Sequence, residues 1–508
     1  MRTTSRRAGA VAAAAAALTV CAGVAIGARQ RADEGGSALQ QAIAVMGVDK
    51  LQTLRLMGHG SDFLFGQAYD PSSPWPRFHL PSYQVEIDYG ANAWRDERVR
   101  RQAEDPPRGG GNQPIDEQRQ VWAYRDDVAW NGDAADASVA GPERDRRPAA
   151  EARLAWIWLT PHGFLRAARA GSPRVSTFEL RGERKTRITL EGPGRLTYQG
   201  TIDATGRVER VETWLSSPVL GDTHLEAAFY GYRDEGGVLL PSRVVHREGG
   251  YPILDVEVKA VVNPPLAITV PPRLVGRVAP AQAGEPSLQL APGVWRISAG
   301  ARDRVVAVEF ADHVIVVEAP QGEPESVAVI DEVKRLIPGK PIRYVINTHI
   351  HFDHSGGLRA YAAIGATVVT HRDNVPYYEQ VWANRWSVKP DRLAASGARP
   401  HFIGVVGSRT FADATHSLVV YHYAGNDHHP GMLMVHLPAE RILIEADSFN
   451  PPNDPAERPN AVPNLAQFYA VVQRLRLDVD ILSPTHGRLT TMAEARDALA
   501  RFWPGPID

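Results

Sequence analysis

The chain has 508 residues, a formal net charge of −2 at pH 7, 44% hydrophobic and 22% charged residues. That length exceeds one ordinary core, so two domains are expected, and the composition is that of a soluble globular protein. The balanced charge supplies no global field to draw in nucleic acid or anionic lipid. No Arg/Lys stripe interleaved with aromatics suggests a local one, so no nucleic-acid partner is expected.

At the N-terminus, Arg2, Arg6 and Arg7 precede an Ala/Val-rich apolar run from about Ala8 to Ile26, and Ala25 and Gly27 suit cleavage after Gly27. Residues 1–27 are expected to be a signal peptide that exports the protein to a periplasmic or extracellular location. The competing reading is a membrane anchor, for which the run is barely long enough. Ser5-Arg6-Arg7 hints at a twin-arginine route. Leu18-Thr19-Val20-Cys21 resembles a bacterial lipobox, with valine where that motif wants a small residue. A lipid anchor at Cys21, in place of cleavage after Gly27, is the one membrane attachment expected. Cys21 is the only cysteine. Its removal leaves no disulfide and no thiolate, so any metal site must be built from His, Asp and Glu.

Ala38 to Met46 reads as a short amphipathic helix. From Leu51 to about Val262 the texture is mostly strand, as in Tyr83–Tyr89, Lys185–Leu190 and Arg207–Trp214, where apolar and polar residues alternate. Asp105 to Gln120, with three consecutive glycines, and Gly132 to Ala150 read as long exposed loops. Leu154 to Ala168 reads as a helix broken at Pro161. This antiparallel region loosely resembles the half-barrel of periplasmic lipoprotein carriers. Trp75, Trp94, Trp122, Trp130, Trp156, Trp158 and Trp214 either line a ligand groove there or pack its core.

Pro264-Pro265, Pro271-Pro272 and the Ala279–Pro286 stretch make a Pro/Ala/Gly-rich linker. The expected division is 28–275 for the β-rich domain, 276–290 for the linker and 291–508 for a second domain. There, strands at Arg304–Phe310, His313–Glu318, Ile342–Ile346 and Thr367–Thr370 mix with helices at Ser326–Leu336 and Ser355–Ala363. Alternating strands and helices predict a layered α/β domain.

Between the strand at Ile342–Ile346 and the next helix lies Asn347-Thr348-His349-Ile350-His351-Phe352-Asp353-His354-Ser355-Gly356-Gly357. The end of a strand is where catalytic loops sit. Three imidazoles and a carboxylate within six residues suit a zinc-type ion, and burying unpaired imidazoles together for packing alone would be costly. This run is similar to the signature loop of the metallo-β-lactamase superfamily. Downstream, Gly425–Leu433 resembles that family's next motif. Its ligand by position is His428, with His429 the alternative. Arg441–Phe449 resembles the strand ending in a metal-bridging aspartate, here Asp447, and Ile481–Gly487 resembles the motif that delivers the closing histidine, His486.

The resemblance covers roughly Pro292 to Trp503 and implies an α/β (α+β) fold: a four-layered αββα sandwich, preceded here by the mainly antiparallel β-domain. It implies two Zn2+ per chain, with iron or manganese as the other candidate metals. His349, His351 and His428 would hold one ion, Asp353, His354 and His486 the other, and Asp447 would bridge them. Asp353 would also orient the nucleophile or pass a proton. His371 reads as a structural or supporting group, and His313, His401, His416, His422 and His436 as surface or satisfied residues. Asn347, Thr348 and Asp427 are candidates to orient ligand imidazoles.

The implied activity is hydrolysis of an ester, thioester, lactone or amide of a small molecule by metal-activated hydroxide. An aspartate at 447, where some zinc β-lactamases carry cysteine, argues against a dedicated β-lactamase. Two other readings stay open: an iron-dependent sulfur (persulfide) dioxygenase on the same fold, and an exported metal-binding protein without catalysis. Tyr377, Tyr378, Trp382 and Trp386 either roof the metals or pack a helix. Oligomeric state is not legible.

Overall fold

The computed structural model describes residues 36–111, 117–141, 148–277, 285–299 and 303–505. The expected signal peptide and Cys21 lie outside the described residues, as do 278–284 of the expected linker. No described helix is long and apolar enough to cross a membrane.

Residues 36–46 are helical, as their spacing predicts, and bury Ala42, Ile43 and Met46. Thirteen strands then form one antiparallel sheet. Its first strand, Thr53–Phe63, pairs with its last, Tyr251–Val262, in the middle of the sheet, so both ends of this region are tied together. The alternating run at Arg207–Trp214 becomes the strand Val208–Ser217, whose side chains alternate between buried and half-buried. Pro161 divides two helices, Ala149–Trp158 and Pro161–Ala170. Thr160 caps the second by accepting the Gly163 N–H, and proline at the first position costs no hydrogen bond. Ile157, Phe164 and Leu165 pack against Leu54, Ile87, Ile188 and Val211 of the sheet.

Trp75 lines a cleft facing the C-terminal domain, whereas the tryptophans of the N-terminal core pack. Trp94 is buried, Trp122, Trp156 and Trp158 lie against the same core, and the cavity left beside them holds about 50 Å³. Small-molecule pockets run from about 300 Å³ upward. The two expected exposed loops are not wholly exposed. Gly109 is buried against the C-terminal domain, and the second stretch contributes a short strand, Ser138–Val139, with Ala137 and Ala140 buried beside it.

The C-terminal domain is a four-layered αββα sandwich. A seven-stranded sheet starts at Leu288, within the stretch expected as linker, and a six-stranded sheet starts at Ser408. Their facing sides share a core of Val306, Val308, Val317, Ile346, Leu418, Val420, Val435 and Ile444. The helices Glu323–Leu336 and Leu358–Ala363 cover the outside of the first sheet, and Val462–Arg474 and Met492–Phe502 the outside of the second. The predicted helix at Ser355–Ala363 is split, with a single turn at Phe352–Ser355 and a helix at Leu358–Ala363.

Strands Val314–Val317, Ile342–Ile346, Thr367–His371 and Phe402–Val405 run parallel in one sheet, and Ile442–Glu445 and Ile481–Pro484 run parallel in the other. Their near-continuous Val/Ile/Leu runs are what strands covered on both faces require. The loops leaving them gather at one edge of the sandwich.

Candidate metal centre

Each of the seven residues picked out in the sequence leaves or enters a strand at that edge. His349, His351, Asp353 and His354 follow Ile342–Ile346. Asp447 follows Ile442–Glu445, His486 follows Ile481–Pro484, and His428 precedes Leu433–Leu437. The structure gathers them into two groups. His349, His351, His428 and Asp447 offer donor atoms within 4.8 Å of one another, and so do Asp353, His354 and His486.

Asp447 lies between the groups. Its Oδ2 is 3.3 Å from His349 Nε2, 3.0 Å from His428 Nε2 and 2.8 Å from His354 Nε2, and its Oδ1 is 3.3 Å from His486 Nε2. The backbone at Asp447 has φ +58°, a left-handed conformation uncommon outside glycine and better tolerated by Asp than by most residues. His429 is buried, but its Nδ1 accepts the Gly431 N–H, and the cluster of convergent donors contains His428 instead.

The second ring nitrogens show how the imidazoles are aimed. Thr348 Oγ1 is 3.0 Å from His349 Nδ1, and the Nδ1–H of His354 donates to Glu318 Oε2 at 2.7 Å. His486 Nδ1 lies 2.8 Å from Asp303 Oδ1. His351 Nε2 donates to the Ala68 carbonyl at 2.9 Å, leaving a buried Nδ1 without a partner. Such outer contacts set both tautomer and aim. Of the three candidates to orient imidazoles, Thr348 alone does so. Asn347 instead donates to the His349 and His354 carbonyls and accepts from the Tyr378 hydroxyl, and Asp427 pairs with Gln467.

Glu318 and Asp303 were not picked out in the sequence. Glu318 is fully buried at φ +80°, with Oε1 accepting the Thr348 N–H at 2.7 Å, so one carboxylate holds both the loop and a ring. Its signal was available: a glutamate closing the all-apolar strand Val314–Val317. Asp303 carries no such mark.

Electrostatics divide the two groups. Burial, reinforced by neighbouring imidazoles, holds His349 well below the ordinary histidine range and His351 down to about 3. Burial also opposes the charged form of His354, yet Asp447, Asp353 and Glu318 raise its pKa well above that range. His486 is likewise raised, to about 10, by Asp447, Asp303 and Asp353 against burial. Asp353 is pushed up by burial but held well below the carboxylate range by His354 and His486.

The donor set fits divalent metal ions. His349 Nε2 and His428 Nε2 are 3.2 Å apart, and His354 Nε2 and His486 Nε2 are 3.0 Å apart. Imidazole lone pairs brought that close need a shared proton or a cation, and neutral imidazole with carboxylate is zinc-type chemistry. His349, His351 and His354 are completely buried, whereas the Asp353 and His486 side chains stay 33% and 20% exposed, so the centre opens on their side.

Of the four aromatic residues considered as a roof, Tyr377 lines the cleft beside Phe352 and the other three do other work. Tyr378 is buried in the core, Trp382 packs on Phe402, and Trp386 covers the Arg359 guanidinium. His371 packs against His422 and caps the next turn, and His313, His416, His422 and His436 each pair with a carbonyl or carboxylate. A cleft of about 610 Å³ runs between the N-terminal sheet and the C-terminal domain beside Ile350 and Phe352, but none of the seven candidate ligands lines it.

Residues 305–486 match the family model described as the metallo-beta-lactamase superfamily. Similar solved structures include a metallo-beta-lactamase from Pontibacter korlensis, with 16% identity and TM-score 0.34, covering 43% of this chain and 99% of that one. Another is the metallo-beta-lactamase FIM-1 from Pseudomonas aeruginosa in its mono-zinc form, with 20% identity and TM-score 0.33, covering 44% and 96%. A third is a metallo beta lactamase from Hirschia baltica, with 18% identity and TM-score 0.32, covering 42% and 96%.

Proposed function

We propose that this protein, whose C-terminal domain has the metallo-β-lactamase fold, is a metal-dependent hydrolase holding two zinc ions and cleaving an ester, thioester, lactone or amide of a small molecule. One observation carries the reading: two sets of His and Asp donors, with His349, His351, His354 and His486 each held through the other ring nitrogen, meet at the single carboxylate of Asp447.

Zinc bound there would lower the pKa of a coordinated water to about 7 and polarise a substrate oxygen. The chain's own residues then have separable tasks. His349, His351 and His428 form the dry inner half. His354 and His486, backed by Glu318 and Asp303, form the half nearer solvent. Asp353 keeps its carboxylate ionised at the open side, where it orients the attacking water and accepts a proton. Substrate approaches from that side. In the same reading the protein is exported, and its substrate is a small exported or environmental molecule.

Metal analysis of protein purified without added metal, followed by a panel of nitrocefin, lactones, thioesters and phosphodiesters, tests the proposal. The expected result is two zinc ions per chain and a hydrolytic activity that His351→Ala abolishes. One iron per chain with oxygen uptake on a persulfide would replace the hydrolase with a dioxygenase. An activity indifferent to His351→Ala would remove the site.

A further inference from the structure

The N-terminal sheet reaches into the metal centre. Between its strands Thr53–Phe63 and Arg77–Asp88, the segment 64–71 crosses to the loop that carries His351 and Asp353. Three contacts fall on three consecutive residues. The Gly66 carbonyl accepts the Phe352 N–H at 3.1 Å, the Ala68 carbonyl accepts His351 Nε2–H at 2.9 Å, and Gln67 Nε2 donates to Asp353 Oδ1 at 2.7 Å.

The orientation of the Gln67 amide is forced, because an ionised carboxylate only accepts. The Ala68 carbonyl has an equally definite effect. By occupying Nε2 of His351 it leaves Nδ1 as the one nitrogen able to bind a cation, and that atom is buried without a partner.

The fit is built from glycines that admit no side chain. A Cβ on Gly66, which has φ +80°, would sit 2.6 Å from the Phe352 ring, and one on Gly110 would sit 1.7 Å from Gln67 Oε1. The Gly110 N–H also donates to the Gln67 carbonyl at 3.0 Å, and the Gly109 N–H donates to the carbonyl of Asp427, the residue before His428, at 2.9 Å. Phe65 and Trp75 close edge-on over Phe352, with ring centres 5.2 and 5.8 Å away.

We propose that the N-terminal sheet is a working part of the metal centre, in which Gln67 is a positioning residue that holds Asp353 Oδ1 and so turns Oδ2 toward His354 and His486. The inference rests on the two-metal reading of the site. Asp353 sits on a one-turn helix and is a third exposed; His354 and His486 lie 3.8 and 3.6 Å from its Oδ2, and among the described residues Gln67 is the donor that holds Oδ1. Without the amide, Oδ1 loses its anchor, and the ion shared with His354 and His486 is held less well. Outer contacts of this kind are worth about 10–100-fold in metal affinity.

The test uses the full chain, Zn2+ and a chromophoric chelator in competition, with thermal unfolding in parallel. Gln67→Leu removes the donor at similar volume, and is expected to weaken the more labile Zn2+ about 10-fold without changing the tighter one. In an Asp353→Ala background the same substitution is expected to change Zn2+ affinity less than about 2-fold, since a residue acting through Asp353 has nothing left to position. Gly110→Ala, which drives a methyl group into the amide, is expected to copy Gln67→Leu. Parent-like Zn2+ binding in Gln67→Leu, or an undiminished effect in the Asp353→Ala background, would overturn the inference. A parent chain that binds no Zn2+ would instead sink the reading of the site.

Discussion

His162 in the N-terminal sheet domain and His354 in the C-terminal domain are both completely buried, yet they are opposite kinds of histidine. His162 has a single partner, the Met46 carbonyl at 3.0 Å from Nε2, and burial lowers its pKa to about 4. His354 suffers the same burial but faces Asp447, Asp353 and Glu318, and its pKa rises well above the ordinary value. Desolvation alone makes a neutral core residue. Convergent carboxylates make a cation site, whether the cation is a proton or a metal.

The sharpest way to break this contrast is at Asp447, the carboxylate common to both donor groups. Asp447→Ala should remove any hydrolytic activity by more than about 100-fold, above the range of outer contacts, and should cost both metals rather than one. Metal content by elemental analysis checks it. Loss of a single ion would show that the two groups are not joined there.

His162 tests the other side. Its folded pKa lies below its unfolded value near 6.5, so the unfolded chain binds the extra proton between about pH 4 and 6.5. The stabilisation is complete above pH 6.5 and is lost as pH falls toward 4, by about 3 kcal/mol in all. Denaturant melts of the parent and His162→Gln at both ends of that window should diverge, with the parent losing more on acidification. Parallel losses would mean that His162 does not carry the effect.

Glu318→Gln sharpens the comparison from within the centre. It keeps the shape but removes the charge behind His354, so Zn2+ binding at that half should weaken about 10–100-fold while the His349 half is spared. The smallest effect is expected at Thr348→Val, which removes one neutral partner of His349. A net hydrogen bond of about 1 kcal/mol corresponds to a loss of roughly 5-fold in Zn2+ affinity. A larger loss there than at Glu318 would reverse the ranking of charged over neutral support.

Much of the centre was legible from residue order. The run His349–His354 after an apolar strand was legible from the residues themselves, while His428, Asp447 and His486, each beside another strand, were placed by resemblance to the family's later motifs. The apolar runs Val314–Val317 and Ile442–Glu445 likewise announced strands covered on both faces. The supports were less legible. Glu318 left a trace as a charge ending an apolar strand, but Ala68 acts through its carbonyl, a group every residue possesses. Gly109 and Gly110 were read as an exposed loop because glycine runs usually are, whereas here the missing Cβ atoms admit Gln67 and the neighbouring backbone.

Local pattern determined many of the strands, the break at Pro161 and the His349–His354 loop, since each depends on periodicity or on side-chain chemistry within a few residues, while resemblance to the family's later motifs supplied His428, Asp447 and His486. Tertiary structure alone decided which nitrogen of each imidazole is free and that a segment some 286 positions away in the chain braces Asp353. Those outcomes depend on distances between groups remote in sequence, and only packing sets such distances.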